Sequence, residues 1–430
     1  MNRKGLSVPF SFVHTSDLHL ETSFSGIHDL STPFREIIQE STFLAYRNLI
    51  ETCITQNVDF VLIAGDIYNS VSRSLSAQLR FIDGLEELSK AGIWTYIVFG
   101  NHDPFGEWAH MLSWPKKTIV FSEKEPEIRF FEKEGTPVAT IIGRSHLKHF
   151  EKEDLASKFP EREDEWPFTI GLLHASALSS EQHETIAPCT IDTLRNKGYD
   201  YWALGHIHKT TFISTNNPLI LYPGNIQGMQ RGETGEKGCF VIKVSREGRS
   251  SYQFHPTESI SWRKKEISIE PFLRIENLFS YIQNIKAKEK EGLDNPAIWS
   301  LILRGRGILS HELKKPGTVH EINKALNESE KHDKKFIWTD RIFDRTKVDL
   351  DLMALERKNN LSSEIIKVWR SLKENTSSFS EFSEDLKKLY TSSKASGYLT
   401  KPDKKESEQI LDDALDFLLT RLIIEGQDED

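Results

Sequence analysis

The sequence predicts an α/β fold: a two-layered β-sandwich core flanked by helices, then a small α/β capping domain and a helical tail. Three observations predict it. Apolar, strand-like runs alternate with helical periods through the first half of the chain. The later strand-like runs, up to residue 244, have little helix between them, which favours a more antiparallel second half. Beyond residue 260, one strand-like run and several helical periods remain.

The first hundred residues indicate strand, helix, strand, helix and strand in turn. Apolar runs predict buried strands at 10–15, 58–66 and 93–103, and helical spacing predicts helices at 34–56 and 74–91. This alternation of strands and helices implies parallel strands with helices packed outside them. Further strand-like runs lie at 118–121, 128–131, 138–143, 168–176, 199–208, 219–225 and 238–244.

Charge and composition divide the chain into three segments. Residues 1–260 hold most of the strand-like runs, and we expect them to form the main domain. Residues 261–345 carry 17 Lys and Arg against 13 Asp and Glu, a net charge of +4, and predict a small α/β capping domain. Residues 346–430 have apolar residues at helical spacing and predict a helical tail.

The composition excludes several classes of protein. A net charge of −9 and a pI of about 6.0 argue against a broadly basic surface for nonspecific nucleic-acid binding. Cys53, Cys189 and Cys239 are too few and too far apart for a disulfide scaffold or a cysteine zinc site. No signal-peptide pattern and no membrane-length apolar run is evident. We therefore expect a soluble, cytoplasmic protein with no membrane partner.

Side chains that can bind a metal ion lie at the carboxyl ends of the predicted strands. They are Asp17 and His19, Asp66, Asn101 with His102, His174, and His206 with His208. Ligands of open α/β sheets bind beyond the carboxyl ends of the strands, so these residues should share one cleft. Mixed His, Asp and Asn ligands suit manganese, iron or zinc, and Asp66 could bridge two ions. Each motif alone is as easily a polar turn, but the full series at strand ends predicts a dinuclear metal site.

The five motifs "SDLHL", "AGDIY", "FGNHD", "LLHAS" and "LGHIH" resemble the pattern of the calcineurin-like metallophosphoesterases. Their order and spacing are most similar to the SbcD-type DNA repair nucleases, and among these to the YhaO-like branch. The resemblance covers residues 10–255 and, more loosely, 260–345. It implies the metallophosphoesterase fold and a DNA exonuclease or other nuclease acting in repair. A phosphatase or cyclic-nucleotide phosphodiesterase is the alternative, and a non-enzymatic scaffold is a third hypothesis.

The resemblance also implies a role for each residue. One metal would be held by Asp17, His19, Asp66 and His208, and the other by Asp66, Asn101, His174 and His206. Manganese is the expected metal, with iron and zinc as alternatives. His102 would protonate the leaving oxygen, and Asp103 would orient its ring. The chain departs from many relatives at Asn225, where they have serine.

The resemblance further implies DNA and an SbcC-type, SMC-like ATPase with a coiled coil as partners, and it allows a homodimer. The predicted phosphate contacts are Arg304, Arg306, Lys314 and Lys315, and solvated surface charges are the alternative for these residues. The predicted docking element is the helix at 407–425. Its apolar stripe would consist of Leu411, Leu415, Leu418 and Leu422, at alternating four- and three-residue spacing. Packing of this helix on its own chain is the alternative.

Overall fold

The computed structural model describes residues 8–24, 32–69, 74–104, 113–177, 186–330, 335–358, 360–391 and 402–425. The strands are β1 (Phe10–Thr15), β2 (Phe60–Ala64), β3 (Trp94–Val98), β4 (Thr118–Val120), β5 (Glu127–Lys133), β6 (Thr136–Arg144), β7 (Phe168–His174), β8 (Tyr201–Gly205), β9 (Thr211–Ser214), β10 (Leu219–Tyr222), β11 (Gly238–Val244), β12 (Ser250–Pro256), β13 (Ser261–Ser268), β14 (Ala297–Arg304) and β15 (Ile337–Asp344). The helices are α1 (Thr32–Thr55), α2 (Leu75–Lys90), α3 (Ile191–Asn196), α4 (Ile275–Glu291), α5 (Leu309–Leu313), α6 (Thr318–Glu328), α7 (Leu352–Glu356), α8 (Leu361–Glu374), α9 (Thr376–Thr391) and α10 (Lys404–Glu425). Among these residues no helix is both long and apolar enough to cross a membrane.

Two six-stranded mixed sheets form the core of the first half of the chain. The first has the order β12-β11-β1-β2-β3-β4, in which β1 to β4 run parallel and β11 and β12 are antiparallel additions. The second has the order β5-β6-β7-β8-β10-β9. This arrangement confirms the predicted two-layered β-sandwich core of an α/β fold.

The side chains of β1 alternate between two apolar layers. Phe12 faces the layer between the sheets, where it stacks on Phe60 with ring centroids 5.0 Å apart and meets Tyr201 edge-on. Val13 faces the opposite layer, which also contains Tyr46 of α1 and Phe81 of α2. β1 is therefore covered by apolar side chains on both of its faces.

The second sheet is more parallel than its sequence pattern predicts. β6, β7, β8 and β10 pair in parallel, and only β5 and β9 at its two edges are antiparallel. The expected antiparallel pairing is found at β5, β9, β11 and β12, but not among β6, β7, β8 and β10. It is absent there because a parallel connection needs a crossover of sufficient length rather than a long helix. Residues 145–167 and 175–200 provide these crossovers, and in their described parts the only helices are a 3₁₀ turn at Ala156–Lys158 and the short α3.

The described residues fall into two compact units. The first draws on Met1–Arg263, Leu293–Ile298 and Lys331–Phe336, and the second on Lys264–Gly292, Trp299–Glu330 and Ile337–Asp430. In the second unit the sheet β13-β14-β15 shares a core with α4, α5 and α6. The tail helices also belong to this second unit.

The apolar stripe of α10 differs from the predicted one. Leu411, Leu415 and Leu419 are buried, and the last two pack with Ile366 of α8. Leu418 is instead 45% exposed. The buried positions recur every four residues, the spacing by which two helices interdigitate their ridges, and not at the alternating spacing of a coiled-coil seam. The helix therefore packs its stripe on its own chain.

Three of the four predicted phosphate-contacting cations form ion pairs inside the second unit. The Arg306 guanidinium donates two hydrogen bonds of 2.8 Å to the carboxylate of Asp416, a residue that is 9% exposed. The Arg306 side chain is thus held by a contact inside its own unit, and its role as a phosphate contact stays a prediction. The other two pairs are Arg304 with Glu266 at 3.0 Å and Lys314 with Asp344 at 3.3 Å.

Candidate metal centre

The predicted ligands lie at or just beyond the carboxyl ends of parallel strands. They are Asp17 and His19 after β1, Asp66 after β2, Asn101 after β3, His174 at the end of β7, and His206 and His208 after β8. The two sheets approach closely here, since a Cβ at Gly205 would overlap the carbonyl oxygen of Ala64. Gly65 has a φ of +87°, and a Cβ there would overlap the His174 ring. These glycines allow the close approach that brings the ligands of both sheets together.

Asp17, His19 and His208 form a first cluster of side chains that could hold a metal ion. The Nε2 atoms of His19 and His208 are 3.0 Å apart, and His208 Nε2 lies 3.8 Å from Asp17 Oδ1. Two ring nitrogens and a carboxylate oxygen therefore face one another, as the ligands of one cation do.

Asp17, Asp66 and His174 form a second such cluster. His174 Nε2 lies 3.3 Å from Asp66 Oδ2 and 3.0 Å from the side-chain oxygen of Asn101. The His206 ring stands edge-on to the His174 ring, with centroids 5.3 Å apart. Asp17 belongs to both clusters, while Asp66 also reaches within 3.8 Å of His19. Both carboxylates are therefore placed between the two groups, and bridging by Asp66 stays a prediction.

Four residues of the centre have a left-handed backbone although none is glycine. The φ angles are 52° at Asp17, 42° at His19, 53° at Asp66 and 106° at His206. Such conformations cost on the order of 1–3 kcal/mol each and persist where the surrounding structure enforces them. They aim the side chains inward directly after each strand, and clustering of this kind is typical of functional sites.

Burial and mutual charge perturb the ionisation of the cluster. Burial raises the pKa of Asp17. Burial also acts to raise the pKa of Asp66, but the charge and hydrogen bond of His174 outweigh it and hold that pKa well below its ordinary value. Burial, with the neighbouring His208, lowers the pKa of His19 to about 3. The centre thus combines an ionised Asp66 with a neutral His19, and this donor set of carboxylate, amide and imidazole groups fits divalent metal ions.

The two residues predicted to be catalytic occupy different environments. The His102 ring is half-buried and stands edge-on to the His19 ring, with centroids 5.3 Å apart. The carboxylate of Asp103 accepts hydrogen bonds from the backbone amides of Ile67, Tyr68 and Gly100. Among the described residues no hydrogen bond joins this carboxylate to the His102 ring, so it ties the loop after β2 to the loop after β3 rather than orienting that ring as expected.

Several residues around the centre were not identified from the sequence. His146 Nε2 lies 2.6 Å from the carbonyl oxygen of His174, and His149 Nδ1 lies 2.6 Å from that of Asn101. The rule that found the ligands could have found these two, since both follow the end of β6. Glu233 lies 2.7 Å from His208 Nδ1, but nothing in the sequence around it marks it as special.

Comparison with known proteins places these observations in a family. A family model described as "Calcineurin-like phosphoesterase" matches residues 10–210. The chain is 37% identical over 349 residues to the "Uncharacterized metallophosphoesterase YhaO" of Bacillus subtilis, with 80% of the chain and 84% of that protein covered. It is 27% identical to the "DNA double-strand break repair protein Mre11" of Sulfurisphaera tokodaii, with 72% of the chain and 77% of that protein covered. It is 24% identical to one component of the SbcCD nuclease of Escherichia coli K12, with 47% of the chain and 56% of that component covered.

Proposed function

Because the chain belongs to the calcineurin-like metallophosphoesterases, we propose that it is a dinuclear-metal-dependent phosphodiesterase, and more narrowly a nuclease acting on DNA ends. One observation carries the proposal: two ligand clusters share the carboxylate of Asp17, and an imidazole outside both of them, that of His102, stands beside them. Such an arrangement suits hydrolysis of a phosphoester, with one group left over for proton transfer.

The fold implies divalent metal ions, and the two clusters support the following proposed ligands. Asp17, His19, Asp66 and His208 would hold one ion, and Asp66, Asn101, His174 and His206 the other. Bound ions of this kind lower the pKa of a coordinated water and neutralise charge on the phosphate. We propose manganese as the metal, with iron or zinc as alternatives, because mixed nitrogen and oxygen ligands suit all three.

The protein's own groups then position the substrate and move one proton. His102 would donate a proton to the leaving oxygen, because its ring lies beside the clusters and makes no hydrogen bond to any described residue. The His102 backbone amide donates to Asp66 Oδ1 at 3.0 Å, which holds the backbone that carries this ring next to the carboxylate. Asp103 keeps both loops in place through the three amides it accepts from.

The loop after β6 supports a nucleic-acid substrate over a small phosphomonoester. His149 anchors this loop to the backbone of Asn101, and the next residue, Phe150, is 62% exposed. Leu147 is 50% exposed, and Lys148 is also exposed. Exposed aromatic and cationic groups beside a phosphate site are typical of proteins that stack unpaired bases. The names of the Mre11 and SbcCD relatives point the same way.

The test compares substrates side by side. Purified full-length protein, loaded with Mn²⁺, is incubated with end-labelled duplex DNA, end-labelled single strands, bis(p-nitrophenyl) phosphate and p-nitrophenyl phosphate. We expect cleavage of DNA and of the diester to exceed that of the monoester, and Asp17→Asn to abolish both. Faster hydrolysis of the monoester with intact DNA would instead support a phosphatase.

We also propose an SbcC-type, SMC-like ATPase as a partner of the tail. Because the buried stripe of α10 packs on α8, docking would use its other face, on which Phe417 is 61% exposed and Leu418 45% exposed. Replacing both by serine should abolish co-purification with such an ATPase. Val368→Ser, at a position 59% exposed on α8, is the control, and equal loss with the control would refute this surface.

A further inference from the structure

Glu233 is a buried carboxylate whose four acceptor sites are all occupied. Its Oε1 accepts from His208 Nδ1 at 2.7 Å and from Gln230 Nε2 at 3.0 Å. Its Oε2 accepts from the Met229 backbone amide at 2.7 Å and from Asn225 Nδ2 at 2.9 Å. A carboxylate has about four lone-pair sites, so this one is saturated and held in a single orientation.

The His208 ring lies between this carboxylate and the first cluster. Its Nδ1 faces Glu233, while its Nε2 faces His19 at 3.0 Å and Asp17 at 3.8 Å. Since the carboxylate can only accept, Nδ1 must carry a hydrogen, and the lone pair of a neutral ring is then on Nε2. The bond thus selects the tautomer that presents a ligand atom to the cluster.

We propose that Glu233, braced by Asn225, is a positioning residue that fixes the tautomer and orientation of His208 and thereby sets the metal affinity of the Asp17–His19–His208 cluster. The inference rests on the proposed metal-dependent function. A carboxylate behind a metal-binding histidine restricts its ring and raises its basicity, and removing such a partner typically costs about 10–100-fold in metal affinity.

Asn225 braces Glu233 from the loop that follows β10. Its side-chain nitrogen donates to two acceptors, the Gln227 carbonyl oxygen at 2.8 Å and Glu233 Oε2 at 2.9 Å. A serine hydroxyl has one hydrogen and could serve only one of them. The asparagine therefore ties Glu233 to the loop that follows β10, and its replacement should loosen the carboxylate without removing it.

The experiment measures Mn²⁺ binding to metal-free full-length protein by calorimetric titration, together with the melting temperature of each metal-free variant. In Glu233→Gln an amide nitrogen would face two donors whichever way the side chain turns, so we expect about 10–100-fold weaker binding at one of two sites. Asn225→Ser should weaken the same site by a smaller factor. In both variants, diester hydrolysis should need a higher Mn²⁺ concentration to reach half of its maximal rate. The rate at saturating Mn²⁺ should change by a smaller factor.

Asp59→Asn is the matched control. Asp59 also accepts from a backbone amide, that of Ser11 at 2.8 Å, and from a side chain, that of Lys133 at 2.9 Å, but it precedes β2 at the end opposite Asp66. Metal affinity should be unchanged in this variant. Three results would each overturn the inference. The first is wild-type Mn²⁺ affinity in Glu233→Gln, and the second is equal weakening of Mn²⁺ binding in Asp59→Asn. The third is a loss of affinity that is matched by lower melting temperatures in both Glu233→Gln and Asn225→Ser. If the wild type binds Mn²⁺ but cleaves no phosphodiester, the proposed function fails while the order of affinities still decides the role of Glu233.

Discussion

Substituting His102 by alanine separates the chemistry of the centre from its metal binding. The ring is half-buried, contacts His19 edge-on and makes no hydrogen bond to the described residues, so its loss should cost less than about 1 kcal/mol of stability. The contact with Asp66 comes from the His102 backbone amide and survives the substitution. Both clusters should therefore keep their geometry and their metals.

The expected loss is in the rate of hydrolysis. A general acid contributes roughly 10²–10⁴-fold, or about 3–5 kcal/mol of the activation barrier. The assay measures kcat on bis(p-nitrophenyl) phosphate and on end-labelled duplex DNA at saturating Mn²⁺, with metal content determined by elemental analysis. His255→Ala, on the edge strand β12, is the control and should behave as the wild type.

Two results would refute this reasoning. If His102→Ala loses metal, the ring is a ligand rather than a proton donor. If kcat falls less than about tenfold with metal retained, protonation of the leaving oxygen does not depend on this ring.

Three further predictions test the centre, the tail and a buried acid. Asp66→Asn should reduce metal in both clusters, because a neutral amide is a poor ligand for two cations; full occupancy of both in elemental analysis would contradict this. Leu419→Ala should lower the free energy of unfolding, measured in urea, by about 2–4 kcal/mol, because Leu419 is fully buried. Leu418→Ala should lower it by less than about 0.5 kcal/mol, because Leu418 is exposed. The reverse order would place Leu418 in the core. Burial raises the pKa of Glu258 from an ordinary 4.5 to about 8, so its protonated form is favoured by folding. Wild-type stability should therefore fall as the pH rises from about 4.5 to about 8, and Glu258→Gln should remove that component of the fall; identical pH profiles would refute the assignment.

The convergence of the proposed ligand residues was predictable because they obey a topological rule. The end of a buried strand is recognisable where an apolar run turns polar, as at Asp17, Asp66 and His174. The carboxyl ends of parallel strands share an edge, so residues far apart in sequence could be placed in one cleft without any knowledge of distances.

The supporting contacts were not predictable in this way. Asp103 follows His102 directly, which suggested that it orients that ring, yet its carboxylate accepts from Ile67 and Tyr68 of another loop. Glu233 has no marked sequence context, and its role depends on lying 2.7 Å from His208. Hydrogen-bond partners are decided by how loops from different strands approach, and no local pattern encodes that approach.

The C-terminal helix shows the same division. The sequence by itself determined that α10 is amphipathic, because apolar residues at helical spacing must share a face. Whether Leu418 or Leu419 lies in the core was decided by the tertiary structure, in which Leu419 is fully buried in the cluster that includes Ile366 of α8. Periodicity specifies a broad face of a helix, whereas the partner's position and crossing angle select which residues within that face are removed from water.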